Sequence, residues 1–215
     1  MENFYYRRKL PHIQPPNGTY FITFILHNCI PRKVWQELAN DYDKDKKMLE
    51  QTILLSDSTA TQEQRLLQLK ELTYQLQKKY FGRLDNFLDT APCPNPWLKN
   101  DAVAQIVHDS ILWANDRHYQ LWTSCIMPTH VHLLLTLHDN APMLFEVLQS
   151  IKSYSAKMAN RLLQREGKFW LRESYDHLVR PNGEFQRIEK YILNNPVKAN
   201  LVSRQEDYKW IYQAD

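Results

Sequence analysis

The chain reads as an α+β fold: a ferredoxin-like βαββαβ antiparallel sheet with a further C-terminal helix and a helical insertion after its first strand. Three observations predict it. The run Thr19–Leu26 is β-branched and aromatic throughout. Two further apolar runs, 119–127 and 130–137, meet at Pro128-Thr129 as a hairpin would. Between and after them lie stretches whose apolar residues recur at helical spacing.

Taken in order, residues 1–18 hold a basic arm and a proline-rich connector that ends at the turn signal Asn17-Gly18. The strand 19–26 is apolar on both faces, so it belongs inside a sheet. Pro31 suits the first turn of a helix expected over 31–55, and Ser56-Asp-Ser58 breaks it. A second helix is expected over 61–80, with leucines 66, 69, 72 and 76 on one stripe. Together, about 31–92 forms a helical insertion in a single domain spanning 1–215. After the stiff linker Pro92-Cys-Pro94-Asn-Pro96, helical spacing returns over 97–115 (Val103, Ile106, Val107, Ile111, Ala114). The hairpin follows, then an amphipathic helix over 143–165 with Leu144, Val147, Leu148, Ile151, Tyr154, Met158 and Leu162 as its apolar stripe. Residues 174–180 read as the last strand. A final helix over 184–194 should stop before Pro196, because proline pushes its predecessor out of helical geometry.

Composition excludes several classes. Four glycines in 215 residues leave neither a P-loop nor a dinucleotide fingerprint. The N-terminus has no apolar signal region and nothing approaches 18 consecutive apolar residues, so a cytoplasmic protein without membrane attachment is expected. Cys29, Cys93 and Cys125 form no CxxC pair and no even disulfide framework, which also favours a reducing compartment. The net charge of +3 says little, but its distribution says more. Six basic residues and one acid lie between Ser150 and Arg172, and Arg7-Arg8-Lys9 follows Phe4, Tyr5 and Tyr6. Basic groups interleaved with aromatics suit single-stranded nucleic acid, although a solvated helix face gives the same pattern.

Chemistry concentrates at two places. His130 and His132 flank Val131 on a strand, so both imidazoles share one face, about 7 Å apart along the backbone at roughly 3.3 Å per residue. That arrangement can converge on one divalent cation. Tyr191 and Asn195 share a helix face one turn apart, and an amide oxygen is a hard ligand suited to Mg²⁺ or Mn²⁺. The plainer readings are a helix-terminal cap for Asn195 and a core tyrosine for Tyr191. Cys125, five residues before His130, falls at odd parity along the chain, which argues against a Cys-His-His zinc site.

The segments Met127-Pro-Thr-His-Val-His-Leu-Leu-Leu135, Ser150-Ile-Lys-Ser-Tyr-Ser155, Phe169-Trp-Leu-Arg-Glu-Ser-Tyr-Asp-His-Leu-Val-Arg180 and Tyr191-Ile-Leu-Asn-Asn-Pro-Val-Lys198 together resemble the single-tyrosine HUH transposases. Within these the chain is most similar to the REP-associated tyrosine transposase group, over about 19–30 and 97–200. The resemblance implies that His130 and His132 hold Mg²⁺ or Mn²⁺ and that Tyr191 is the nucleophile. Asn195 stands where related transposases place a polar ligand, commonly glutamine. It further implies single-stranded DNA hairpins as partners, with Arg7, Arg8 and Lys9 at the hairpin foot and Lys152, Lys157 and Arg161 along the backbone. His177 either supports the ligand histidines or packs within its strand. The implied reaction cleaves and rejoins DNA at palindromic, REP-like sequences through a 5′-phosphotyrosine, by a monomer rather than a dimer that exchanges tyrosine helices. Two alternatives stand beside it: a domesticated hairpin-binding protein that has lost catalysis, and an RNA-binding ferredoxin-like domain, which would want aromatics where this sheet carries imidazoles.

Overall fold

The computed structural model describes residues 5–7, 11–13, 15, 17–55, 61–181 and 183–214, with backbone alone for 5–7, 11–13, 54 and 55. The chain separates into two compact units, one of residues 1–29 with 93–215 and one of residues 30–92.

The first unit is built on a five-stranded antiparallel sheet. In chain order its strands are β3 (Thr19–Leu26), β4 (Tyr119–Ile126), β5 (His130–Leu137), β6 (Trp170–Leu178) and β7 (Ile211–Gln213), after a small hairpin of β1 (Tyr5–Arg7) and β2 (Pro11–Ile13). The spatial order is β6-β3-β5-β4-β7. The first four are the strands of the expected ferredoxin-like unit; β7 was not expected and extends the edge beside β4, Ser124 opposite Tyr212. The arm therefore contains a hairpin, although Arg8 and Lys9 lie outside the described residues and Arg7 is described by backbone only.

Strand alternation sorts the sheet into two faces. Tyr20, Ile22, Phe24 and Leu26 of β3, with Val131, Leu133 and Leu135 of β5, form one face, and every one of these side chains is buried. Helices α3 (Asp101–Ala114) and α4 (Leu144–Leu162) cover it. Asn100 caps α3 by accepting the Ala102 N–H at 2.9 Å, and Val103, Val107 and Ile111 turn inward at helical spacing. On α4 the buried stripe is Leu144, Val147, Leu148, Ile151, Ser155 and Ala159. Tyr154 and Leu162, expected on that stripe, are 58% and 47% exposed. The reason is Trp170: its indole rests on Phe24 and donates to Ser155 Oγ at 3.0 Å, so small residues occupy the contact line and the larger ones are turned out.

Helix α5 (Glu184–Lys198) covers the opposite face. Phe185 meets Trp122 with ring centroids 5.6 Å apart, and Thr123 donates to Glu189 at 3.4 Å. Gly183 at φ +72° turns the chain from β6 into this helix, a conformation that favours glycine. Contrary to expectation, α5 does not stop at residue 194; it runs through Pro196 to Lys198. A proline so near the end removes one N–H while Ala199 still bonds to Asn195 O and Leu201 to Pro196 O. Asn195 is consequently inside the helix rather than a terminal cap. Strand β6 also starts four residues earlier than the pattern suggested, because its first residue is the buried Trp170.

The cysteine reading also needs correction. Cys29 and Cys93, 64 residues apart, are joined in a disulfide within the first unit, and only Cys125 is a buried free thiol. Sequence spacing cannot show this pairing, since tertiary folding alone brings the two Cα atoms to 4.7 Å. It also removes the cysteine argument for a reducing compartment.

The second unit is an antiparallel pair, α1 (Arg32–Leu55) and α2 (Gln62–Thr90). Tyr42 meets Tyr80, and Asp41 and Asp45 pair with Arg83 and Lys79 at 3.1 and 3.4 Å. Thr61 and Gln64 cap α2 reciprocally. The helix continues ten residues beyond the expected end at Tyr80, since its inward residues are Tyr74, Phe81, Leu84 and Leu88 while Leu66 is exposed. The break at 56–58 lies outside the described residues. Among the described residues no helix is long and apolar enough to cross a membrane.

Candidate active site

The face under α5 gathers the residues singled out from the sequence. In the β3–β5 register His132 stands opposite Thr23 and His130 opposite Ile25, so both imidazoles emerge on that side. Their Nε2 atoms are 3.0 Å apart. Two nitrogens bound at about 2.1 Å and at right angles to each other would be separated by about that distance. Each ring is held at its far nitrogen by a threonine, His132 Nδ1 by Thr23 Oγ1 at 2.7 Å and His130 Nδ1 by Thr129 Oγ1 at 2.9 Å. The tautomer in which Nδ1–H donates to the hydroxyl leaves the Nε2 lone pair for a cation. Sequence reading missed both threonines; Thr129 was legible as the residue beside His130, whereas Thr23 becomes a neighbour only through strand pairing.

Tyr191 approaches from α5. Its ring centroid is 5.7 Å from that of His132 and 5.9 Å from that of Phe21, whose own ring stacks on His132 at 5.6 Å. Phe21 therefore fixes the lateral position of both the imidazole and the phenol. One turn on, Asn195 is fully buried, and neither atom of its amide has a hydrogen-bond partner among the described residues. An unsatisfied buried amide costs on the order of 1–3 kcal/mol, which fits a group whose partner is a bound ion or substrate. A pair of convergent imidazoles with an orphaned amide oxygen nearby on the covering helix is a donor set suited to a divalent cation.

Cys125 is on this face after all. It stands directly opposite His132 in the β4–β5 register, because the hairpin turn resets the alternation that was counted along the chain. Its sulfur lies 3.6 Å from Met127 Sδ.

Of the residues expected to meet DNA, Lys152 donates to Arg172 O and Ser174 Oγ, each at 3.1 Å, in a groove of about 390 Å³ between α4 and β6. Lys168 and Arg172 line the same groove, while Lys157 and Arg161 are exposed on α4. Nearby, the His27 pKa is held below its ordinary value, first by burial and then by the charges of Lys168 and Arg165. His177, expected either to support His130 and His132 or to pack within its strand, has its Nε2 3.2 Å from Glu184 Oε2 at the start of α5.

Comparison with known proteins bears on the same residues. Residues 96–195, which contain the two histidines, Tyr191 and Asn195, match the family model described as IS200-like transposase. A curated protein of Haemophilus influenzae named as a REP-associated tyrosine transposase is 29% identical over 104 residues. The chain is thus similar to the REP-associated tyrosine transposase group. That match takes in 43% of this chain and 59% of the relative, so the chain spans about three fifths of the curated protein's length. A solved REP-associated tyrosine transposase bound to a REP hairpin superimposes with a TM-score of 0.51 at 16% identity, over 96% of this chain and 80% of that one. That likeness establishes the shared α+β fold of the group.

Proposed function

We propose that this chain is a metal-dependent single-stranded DNA transposase and nuclease that cleaves and rejoins DNA at hairpins of REP-like palindromic sequence. One observation carries the reading: the Tyr191 ring stands 5.7 Å from His132 on the face where the two Nε2 atoms converge. A divalent ion, Mg²⁺ or Mn²⁺, held by His130, His132 and Asn195 would supply Lewis-acid stabilisation of charge on the scissile phosphate. The protein's own residues do the rest. Thr23 and Thr129 hold the imidazoles in their ligand orientation, and Phe21 limits the lateral freedom of the phenol. The Tyr191 oxygen attacks phosphorus, the bond from phosphorus to the 3′ oxygen breaks, and that oxygen leaves with a proton as a free 3′-OH. The 5′-phosphotyrosine keeps the bond energy, so another 3′-OH can reverse the step and rejoin strands without a nucleotide cofactor.

Phenol and imidazoles come from one chain, which supports a monomer rather than a dimer that trades tyrosine helices. The reading takes 1–215 as a single transposase domain with the helical insertion at about 31–92, acting in the cytoplasm. Lys157 and Arg161, with the groove that holds Lys152 and the arm with Arg7, Arg8 and Lys9, would contact the DNA backbone. Its test is covalent capture of a labelled hairpin oligonucleotide in Mn²⁺. Tyr191→Phe should abolish the adduct and leave hairpin affinity within about twofold; an adduct that persists in the variant removes Tyr191 from this role.

A further inference from the structure

We infer that Lys198 is a second catalytic residue, whose ammonium donates to a non-bridging oxygen of the phosphate that Tyr191 attacks; the inference rests on the function proposed above. Lys198 is the last residue of α5, seven positions after Tyr191. Seven residues are about two helical turns, so both side chains lie on one face. Its Nζ sits 5.6 Å from the centre of the Tyr191 ring, and the residue is exposed. This placement depends on the helix continuing through Pro196. Had it ended at residue 194, Lys198 would have left the helical register and this face.

The chemistry gives the ammonium a task. Attack on phosphorus concentrates negative charge on the non-bridging oxygens while the phenol oxygen and the 3′ oxygen share the displaced bond. His130 and His132 lie on the sheet side and Asn195 one turn after the phenol on α5, whereas Lys198 lies a further turn on, at the exposed end of the helix. A donor aimed at such charge typically contributes roughly 100-fold to rate. A lysine serving only as a helix-terminal charge or as a cation above an aromatic ring would hold Tyr191 in place but would not act on the phosphate.

The experiment compares Lys198→Gln and Lys198→Arg with the unaltered chain, in single-turnover formation of the covalent adduct at saturating Mn²⁺ and hairpin oligonucleotide. Hairpin affinity and thermal midpoint are measured alongside. The expected result is a loss of roughly 100-fold in rate for Gln, recovery to within about fivefold for Arg, and unchanged affinity and midpoint. A Gln variant as fast as the unaltered chain, or equal losses in Gln and Arg, overturns the inference while leaving Tyr191 as nucleophile. Slower capture that merely follows weaker binding or a lower midpoint overturns it too. If the unaltered chain forms no adduct, the proposed function fails and this inference with it.

Discussion

The Glu184 carboxylate, at the first residue of the helix that carries Tyr191, stands 3.2 Å from His177 Nε2 on the edge strand β6. The same oxygen accepts the Arg180 N–H at 2.8 Å, and the residue is only 3% exposed. Gly183 offers no side chain to cap α5, so Glu184 closes the turn instead. His177, in turn, lies opposite Phe21, the ring that touches both His132 and Tyr191. The edge of the sheet and the start of the helix are thus locked together next to the candidate site.

Removing that lock should be costly. Glu184→Ala strips a buried carboxylate from two partners and is expected to lower unfolding free energy by about 3 kcal/mol. Urea denaturation followed by circular dichroism measures it. A loss below about 0.5 kcal/mol would mean that His177 and the Arg180 N–H find other partners.

The orphaned amide of Asn195 predicts an effect of opposite sign. Asn195→Leu keeps similar volume and removes two unsatisfied buried polar atoms, so the metal-free protein should gain about 1–3 kcal/mol. Mn²⁺ affinity, measured by titration calorimetry, should fall at the same time. A variant that is destabilised without metal would instead give the amide a structural role inside α5.

The disulfide makes a prediction that the sequence could not. Cys29 and Cys93 close a loop of 64 residues, and a cross-link of that span restricts the unfolded chain by about 4 kcal/mol at 25 °C. Thiol reductant, or Cys29→Ser, should therefore lower the thermal midpoint by several degrees. An unchanged midpoint in reductant would show that the bond adds nothing to stability.

How much was legible in advance follows from the range of the interactions involved. Thr19–Leu26 and His130–Leu137 show as strands because alternation and β-branching act residue by residue. Likewise, i to i+4 spacing puts Tyr191 and Asn195 on one helix face. What local pattern misjudged were positions set by a distant partner. Tyr154 was placed in the core, yet Trp170, far along the chain, fills that space with Ser155 beneath it. Pro196 marked a helix end that two more residues of α5 overrode. The count from Cys125 to His130 was right along the chain but crossed a turn.

The sequence by itself determined the βαββαβ element order and the chemical inventory: two imidazoles, a phenol and an amide at spacings that backbone geometry converts into shared faces. Only the tertiary structure decided that those faces meet. Strand pairing seated Thr23 behind His132, helix α5 laid Tyr191 against Phe21, and folding drew Cys29 to Cys93. The physical reason is that helix and strand periods act over a few residues, whereas these contacts join segments tens of residues apart whose approach is set by how the whole sheet packs.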